Sequence, residues 1–343
     1  MALQNSGAIS LDDIHVEAGG TSGTTASIND SDIRSMIDKG DGATAQFSEY
    51  YGASSSTYVA GTGGQTTTSG NYKYHYFNSS GQFQITEIGT GGPSNTIDFI
   101  VIAGGGGGGG QSGGGGGAGG YRTGTFSAST GNKTVTVGGG GVGVDYQNAS
   151  PVGEPAQGSS SSITSGHTNT GGGKGSDALA GHSTAGSGGS GGGGGYITPG
   201  PGYGAPGISG QGYKGGRGTD DGKSSAGGGG GKGGSGGNAP ESNAGNGGSG
   251  SSTGNANYNG ATRAGGGGGG TFFNYPFAPF SNAGSGGPGG GGSSSKTGPG
   301  NSGSANTGGG GGGGSSAPNL TNANKEGGNG GSGIVMVRYQ YQG

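Results

Sequence analysis

Apolar residues of this chain are concentrated in a few short segments, and the long stretches between them have almost none. Tyr72, Tyr74 and Tyr76 alternate with polar residues at a period of two, which is typical of a half-buried strand. The segments 97–102 and 334–339 are rich in β-branched residues, which favour strands in the middle of a sheet. We therefore expect a small antiparallel β-sandwich built from residues 71–103 and completed by 134–137 and 333–340.

The first 53 residues have a different pattern. Asn29 can cap a helix that Gly40 ends, and Ile33, Met36 and Ile37 share one of its faces. A segment this short has a thin core, so we interpret residues 1–53 as an α+β module that attaches to a neighbour. The Ser-, Thr- and Gly-rich stretch 54–70 is expected to be a linker. The residues that we expect to form the contacts of the attachment module are Ile14, Ile33, Ile37, Phe47 and Tyr50.

Glycine dominates the rest of the chain and accounts for 106 of the 343 residues. Glycine runs bury almost no apolar surface, and glycine loses more backbone freedom on ordering than any other residue. Only hydrogen bonds between neighbouring segments can order such runs. The runs are 104–110, 113–117, 191–195, 227–231, 265–270, 289–292 and 308–314.

The period of the glycines excludes collagen. Glycine recurs at every third residue from Gly204 to Gly210 but fails at Tyr213, whereas collagen needs the period along its whole length. Polyproline-II geometry has no internal hydrogen bonds, so side-chain-free helices of this kind can pack closely and bond to each other. We predict a bundle of polyglycine-II helices over residues 104–332, with long loops at its ends. Helices at the rim are expected to point one residue in three outward. The predicted fold class is mostly β and irregular.

Composition excludes several classes of protein. The chain has no cysteine, and 14 Lys and Arg stand against 17 Asp and Glu, so we expect neither thiolate metal sites nor nucleic acid as a partner. The start has no basic or apolar region of a signal peptide, and no stretch has the roughly 20 apolar residues that span a membrane. We therefore expect no signal peptide and no membrane insertion.

No motif predicts catalysis, a cofactor or a metal. The ending of a P-loop at Gly222 lacks its first glycine, which falls on Arg217. The calcium-type nonapeptide that begins at Gly172 has no tandem copy. The four histidines form no metal or triad spacing, and His167 and His182 are interpreted as solvated loop residues. We expect a protein that is not an enzyme.

Aromatic residues within the glycine-rich body are the candidates for recognition. Two interpretations compete: the rings cap the apolar ends of the bundle, or they form a binding surface, because Tyr, Ser, Gly and Asn loops on a rigid frame resemble recognition paratopes. The segment 272–280 is the first choice for such a surface. The candidates are Tyr196, Tyr203, Tyr213, Tyr258, Phe272, Phe273, Tyr275, Phe277 and Phe280.

Several segments resemble phage tail proteins. Residues 6–19 (Ser-Gly-Ala-Ile-Ser-Leu-Asp-Asp-Ile-His-Val-Glu-Ala-Gly), 28–34 and 47–54 resemble the N-terminal segment of tailed-phage virion structural proteins. Residues 74–85 (Tyr-His-Tyr-Phe-Asn-Ser-Ser-Gly-Gln-Phe-Gln-Ile) and the segments 97–106 and 333–339 are similar to the glycine-rich domain of phage tail proteins. The second likeness spans most of the remaining chain and is specific at the strands.

The resemblance implies a tail or tail-fibre adhesin of the virion. Its loops would bind a host cell-surface protein or glycan, its N-terminal module would join other virion tail proteins, and it would be extracellular when mature. Many phage tail parts are trimeric, which extends the expectation to a homotrimer. Alternatives are an architectural virion component without a receptor role, an ice-binding polyglycine-II protein, and a flexible linker protein.

Overall fold

The structure is a computed structural model, and its N-terminal segment is helical. It contains α1 (Leu11–Glu17), α2 (Ser31–Ser35) and a 3₁₀ helix (Phe47–Tyr50). We expected an α+β module here, but the described residues of this segment contain helices and no strand. The structure describes residues 3–37, 39–40, 42–53, 58–89, 95–147, 150–164, 166–177, 184–196, 202–219, 225–240, 243–252, 258, 260–272, 282–316 and 325–342.

Local capping explains where these helices begin. Ser10 and Asp13 form a reciprocal capping box at α1: the Ser10 Oγ accepts from the Asp13 amide at 3.1 Å. Asp30, not Asn29, occupies the cap position of α2. The Asn29 side chain instead accepts a hydrogen bond from Arg34 at 3.0 Å.

Two five-stranded antiparallel sheets form the predicted sandwich. The order of one sheet is β1-β4-β7-β10-β11, and that of the other is β2-β3-β12-β5-β6. Their facing side chains, among them Phe83, Ile85, Phe99 and Val337, form one core cluster. The strands are β1 (Ala60–Thr62), β2 (Gln65–Ser69), β3 (Tyr72–Phe77), β4 (Gly81–Glu87), β5 (Thr96–Ile102), β6 (Tyr121–Ser127), β7 (Gly131–Thr136), β8 (Asp145–Gln147), β9 (Ser150–Val152), β10 (Ser161–Ile163), β11 (His167–Asn169) and β12 (Ile334–Gln340).

The C-terminal strand β12 lies at the centre of its sheet, as its β-branched sequence predicts. Val335 pairs with Phe77 of β3 on one side and with Val101 of β5 on the other. The side chains of Val335, Met336 and Val337 are fully buried. Both ends of the glycine-rich body are thus held by adjacent strands of one sheet.

Two predicted boundaries are corrected. The expected linker 54–70 contains β1 and β2, because a Thr-rich segment needs little more than backbone pairing to form an edge strand. The body 104–332 is also interrupted more often than expected: besides β7, which contains most of the expected strand 134–137, the strands β6, β10 and β11 return to the sandwich. The sandwich is therefore larger than its strongest apolar segments indicate.

The glycine-rich segments form the predicted lattice of polyglycine-II helices. The helix 113–120, here called the central helix, donates its amide hydrogens to three neighbours in strict rotation. Gly114, Gly117 and Gly120 donate to one helix, Gly115 and Ala118 to a second, and Gly113, Gly116 and Gly119 to a third. A repeat of three residues is that of polyproline-II geometry.

The carbonyl groups of the central helix point to three further helices. The oxygens of Gly114 and Gly117 accept from one neighbour, and those of Gly115 and Gly116 accept from two others. The central helix is therefore surrounded on six sides, and its polar backbone groups are paired within the lattice as burial requires. Its six neighbours are the helices 103–110, 170–177, 190–195, 225–231, 264–271 and 308–315.

Helices at the rim expose about one residue in three, as predicted. Asn246 and Ser249 point outward from one rim helix, and Tyr203 and Pro206 from another. Rim asparagines also replace missing backbone neighbours, because the Asn246 Oδ1 accepts from the Ser285 amide at 2.9 Å. One run departs from the pattern: the run 289–292 begins in a turn, where Gly289 and Gly290 have φ of 100° and 96°.

The bundle has two distinct ends. Residue 103 follows β5 directly and Gly120 precedes β6, so these helices have one end against the sandwich. The opposite end, here called the distal face, lies where the chain turns at Gln111 and Ser112. Within the described part of the chain, no helix is both long and apolar enough to cross a membrane.

Candidate functional site

The distal face is centred on a two-residue turn. Gln111 and Ser112 have φ of 51° and 67°, which lets the chain reverse between helix 103–110 and the central helix. The Gln111 amide donates to Lys325 O at 2.9 Å, and the Ser112 amide donates to Gly314 O at 2.8 Å. The turn is therefore held by the chain segments around it.

The helices around this turn end at the same level. Gly110 donates to the Asp177 carboxylate at 2.6 Å, Tyr196 donates to Ser112 O at 3.2 Å, and Gly270 donates to Gly113 O at 2.8 Å. Five of the six neighbours of the central helix lead from this face into, or receive the chain from, a connecting segment. These connecting segments, which lie outside the described residues, are 178–183, 197–201, 220–224, 273–281 and 317–324.

Several hydroxyl groups lie at the helix ends of the distal face. The Ser315 Oγ accepts from the Thr271 amide at 3.2 Å and lies 3.3 Å from the Ser294 Oγ. The hydroxyls of Ser112 and Thr271 are buried, and each has no hydrogen-bond partner among the described residues. Small polar side chains therefore occupy the described helix ends at this face, and two of their hydroxyls are buried without a partner there.

Three candidate residues lie toward the distal face. Tyr196 follows a helix end and is half-buried, and Phe272 is half-buried beside Ser316, with which it forms a parallel bridge. Tyr203 is 73% exposed on a rim helix, where the Arg217 guanidinium lies 5.8 Å from its ring centroid. The other candidates of the first-choice segment, Phe273, Tyr275, Phe277 and Phe280, lie outside the described residues.

Two candidates lie at the sandwich end instead. Tyr213 is 52% exposed there. Tyr258 is only 2% exposed; its ring packs edge-on against Tyr74 at 5.6 Å, and its hydroxyl donates to Asp98 O at 3.1 Å. Burial raises the pKa of Tyr258 far above its usual value. Tyr258 joins the bundle to the sandwich, so we exclude it from any binding surface.

The candidate residues of the attachment module mostly form its core. Ile14, Ile33 and Tyr50 are fully buried and form one cluster with Leu3. Ile37 is partly buried and packs against this cluster. Phe47 is 43% exposed and is the one of these five residues whose side chain is largely open to a partner. Amphipathic spacing identifies core residues well, but it does not distinguish them from contact residues.

The histidines are not all loop residues. His167 belongs to β11, and its ring centroid lies 4.5 Å from that of Phe99, which corrects the interpretation of a solvated loop residue. His75 is fully buried in β3. His182 lies outside the described residues.

Comparison with known families identifies the body of the chain. Residues 78–340 match the family model described as a glycine-rich domain, which is more than half of the chain. The chain belongs to this glycine-rich domain family. No curated protein matches the chain. The matched range of the glycine-rich domain includes the whole bundle and strands β4 to β12, whereas β1, β2, β3 and the N-terminal helices lie outside it.

Sequence reasoning missed two features of the glycine-rich domain. The turn at Gln111 and Ser112 was visible as the sole break between two long glycine runs. The cations Lys214 and Arg217 were visible as outward positions three residues apart on a rim helix. The break between the runs is enough to indicate the turn, whereas the two cations become recognisable only when the repeat of three is followed residue by residue along 212–219.

Proposed function

We propose that the protein is a tail or tail-fibre adhesin of a tailed phage, which presents the connecting segments of the distal face to a host-surface receptor. The observation that carries this proposal is that the described helix ends flanking five connecting segments meet on one face of a hydrogen-bonded lattice. A rigid frame lowers the conformational entropy that the binding residues lose on contact. Catalysis has no part in this role.

The composition of the connecting segments supports recognition. The segment 273–281 reads Phe-Asn-Tyr-Pro-Phe-Ala-Pro-Phe-Ser, and the segment 317–324 reads Ala-Pro-Asn-Leu-Thr-Asn-Ala-Asn. Aromatic, Asn and Ser residues are common in binding surfaces, where large rigid rings provide contact area and polar groups adapt to the partner. The lattice itself needs no aromatic residue, because backbone groups hold it together.

In this proposal, the N-terminal segment joins the chain to other virion tail proteins and the mature protein is extracellular on the virion tail. Its small core, formed by Leu3, Ile14, Ile33 and Tyr50, contains only residues of the segment itself. Its large apolar side chains that are exposed, among the described residues, are those of Val16, Phe47 and Tyr51. A homotrimeric assembly belongs to the same proposal and rests on resemblance alone.

The test replaces residues 273–281 by a Gly-Ser segment of equal length in the full chain carried by virions. We expect virions to assemble and to lose adsorption to their host. The matched control replaces residues 253–257 in the same way, because the described residues beside them, Ser251 and Tyr258, lie at the sandwich end. This control should adsorb as the unchanged virion does.

Other outcomes would favour the alternatives. Unchanged adsorption of the 273–281 variant would contradict a receptor role for that segment, and failed assembly would favour an architectural component. Antibody labelling of virions that finds the chain absent from tails would overturn the proposal as a whole. Thermal hysteresis of a solution of the purified chain would favour the ice-binding alternative.

A further inference from the structure

One flank of the bundle differs in chemistry from the rest of the rim. It consists of the two antiparallel rim helices 202–208 and 212–219, here called the basic flank. Gly215 donates to Ala205 O and Gly218 donates to Gly202 O, each at 2.9 Å, so the two helices are in fixed register. Side chains on this flank therefore have fixed positions along the bundle.

The outward positions of the basic flank carry rings and cations. Tyr203 and Pro206 point outward from one helix, and Lys214 and Arg217 from the other. The register places Tyr203 and Tyr213 about 12 Å apart along the axis at ~3.1 Å per residue. Elsewhere on the described rim, Lys174 pairs with Glu154 at 2.5 Å. The outward residues there also include Val142, Asn246, Ser249, Ser285, Gln157 and Ser160.

A groove at the sandwich end of this flank brings the same groups together. Pro206, Tyr213, Lys214 and Lys232 line it. The Lys232 Nζ donates to Gly210 O at 2.7 Å and lies 5.9 Å from the ring centroid of Tyr121. Burial, and then the nearby charge of Arg122, lower the pKa of Lys232. A bound anion would favour the charged form of Lys232 and would therefore oppose both of these effects on its pKa.

Among its described residues, this part of the bundle carries positive charge and no carboxylate. Between residues 184 and 316, the described residues include no Asp or Glu, whereas Lys214, Arg217 and Lys232 lie on or beside the flank. The carboxylates that the sequence has in this range, Asp220, Asp221 and Glu241, lie outside the described residues. The groove thus offers positive charge and an exposed ring in a chain whose net charge is −3.

We propose that the groove of the basic flank binds an anionic polysaccharide, with a sugar ring against Tyr213 and acidic groups paired with Lys214 and Lys232. Charge complementarity and the open tyrosine ring favour this ligand. A protein partner would need a continuous patch of about 800 Å², whereas the exposed rings here are separate and lie among glycines. A nucleic acid would need many more phosphate contacts than this flank supplies.

This site differs from the distal face in place and in chemistry, and it stands without the proposed receptor role of the connecting segments. If both proposals hold, the flank would retain the protein on an acidic glycan layer while the distal face engages its receptor. The 273–281 replacement changes none of the residues that line the groove, so this variant should bind polysaccharide as the unchanged chain does. Failure of one proposal is therefore distinguishable from failure of the other.

The experiment is calorimetric titration of the full chain with a heparin oligosaccharide and with an oligogalacturonate. A malto-oligosaccharide of equal length is the neutral probe, and a single-stranded oligothymidylate is the nucleic-acid probe. We expect binding of at least one anionic oligosaccharide, weakened by salt, and no heat from the neutral probe. Tyr213→Ser should weaken the binding at least about tenfold, and Lys214→Ser should also weaken it.

The control variant is Val142→Ser, which removes a side chain that is 58% exposed at an outward position of another rim helix. It should bind as the unchanged chain does, and all variants should keep the same thermal midpoint. The proposal would be overturned if neither anionic oligosaccharide binds more tightly than the neutral probe. It would also be overturned if the oligothymidylate binds equally well, or if Tyr213→Ser has no effect.

Discussion

At the scale of the residue, the lattice makes glycine a steric requirement at some positions and not at others. A Cβ at Gly116 of the central helix would lie 2.1 Å from Gly106 O, closer than real Cβ contacts allow. At Gly139 on the rim, a Cβ would meet nothing within 4 Å. The difference follows from the number of neighbouring helices and not from the local sequence.

The first prediction concerns this pair of glycines. Gly116→Ala should lower the free energy of unfolding of the full chain by about 1 to 3 kcal/mol, because a rigid backbone neighbour must move. Gly139→Ala should leave stability unchanged or raise it by up to about 1 kcal/mol, since alanine reduces the freedom of the unfolded chain. Chemical denaturation measures both. Equal effects of the two substitutions would contradict close packing around the central helix.

The second prediction concerns His75. Its Nδ1 lies 2.6 Å from Gly63 O and its Nε2 lies 3.1 Å from the Tyr339 hydroxyl. Gly63 O can only accept, so Nδ1 carries the proton of the neutral ring. Burial lowers the pKa of His75 below its ordinary value of 6.5; the hydrogen bond to Gly63 opposes this shift, and the charge of Lys73 adds to it.

Because the folded state holds His75 neutral, stability is complete above pH 6.5 and falls as the pH drops below it. The slope should be up to about 1.4 kcal/mol per pH unit, down to the lowered pKa. His75→Gln keeps a polar side chain but cannot titrate, so its stability should vary less between neutral and mildly acidic pH. Denaturation midpoints measured across this range check the prediction. An undiminished slope in His75→Gln would assign the effect to other groups.

The sequence predicted residue roles unevenly. Alternation identified Tyr74 and Tyr76 as strand residues, and spacing identified Ile14 and Ile33 as apolar contacts. Tyr258 was placed in a binding loop, because the contacts that bury it, with Tyr74 and Asp98, come from residues more than 150 positions earlier. Isolated aromatics in a glycine-rich chain have no periodicity that distinguishes a surface ring from a buried one.

At the scale of the element, the repeat of three residues could be anticipated from the absence of side chains, but the neighbours of each helix could not. The central helix bonds to segments from 103–110 to 308–315, and glycine runs carry no side-chain pattern that selects one partner over another. Short edge strands such as β1 and β2 were also missed, since backbone pairing forms them. Strands with strong apolar sequences, such as β5 and β12, were predicted correctly.

The third prediction concerns amide exchange of the helices. Amides 114–120 each donate to a neighbouring helix, so an amide of the central helix is exposed only when the lattice opens. Hydrogen-exchange mass spectrometry should find them as protected as the amides of β5 and β12. Residues 296 and 297 of the exposed turn 295–298 should exchange fast and provide the internal comparison. Random-coil exchange of the central helix would instead favour a flexible linker protein.

At the scale of the whole molecule, the sandwich closes the bundle. The chain leaves the sheet at Ile102 of β5 and returns at Ile334 of β12, and these two residues pair with each other. Almost the entire glycine-rich domain is therefore a loop between two neighbouring strands. Closing so long a loop costs entropy, which the buried strands and the paired backbone groups of the lattice must offset together.

The last prediction separates the N-terminal segment from this unit. Its cluster of Leu3, Ile14, Ile33 and Tyr50 contains only residues of the segment. Deleting residues 1–57 should leave the thermal midpoint of the remaining chain unchanged and, if the segment is the attachment module, should abolish incorporation into virions. Deleting residues 334–343 should prevent folding, because β12 supplies the centre of its sheet. If the chain without residues 1–57 unfolds, the segment is part of the structural unit, and lost incorporation would no longer indicate attachment.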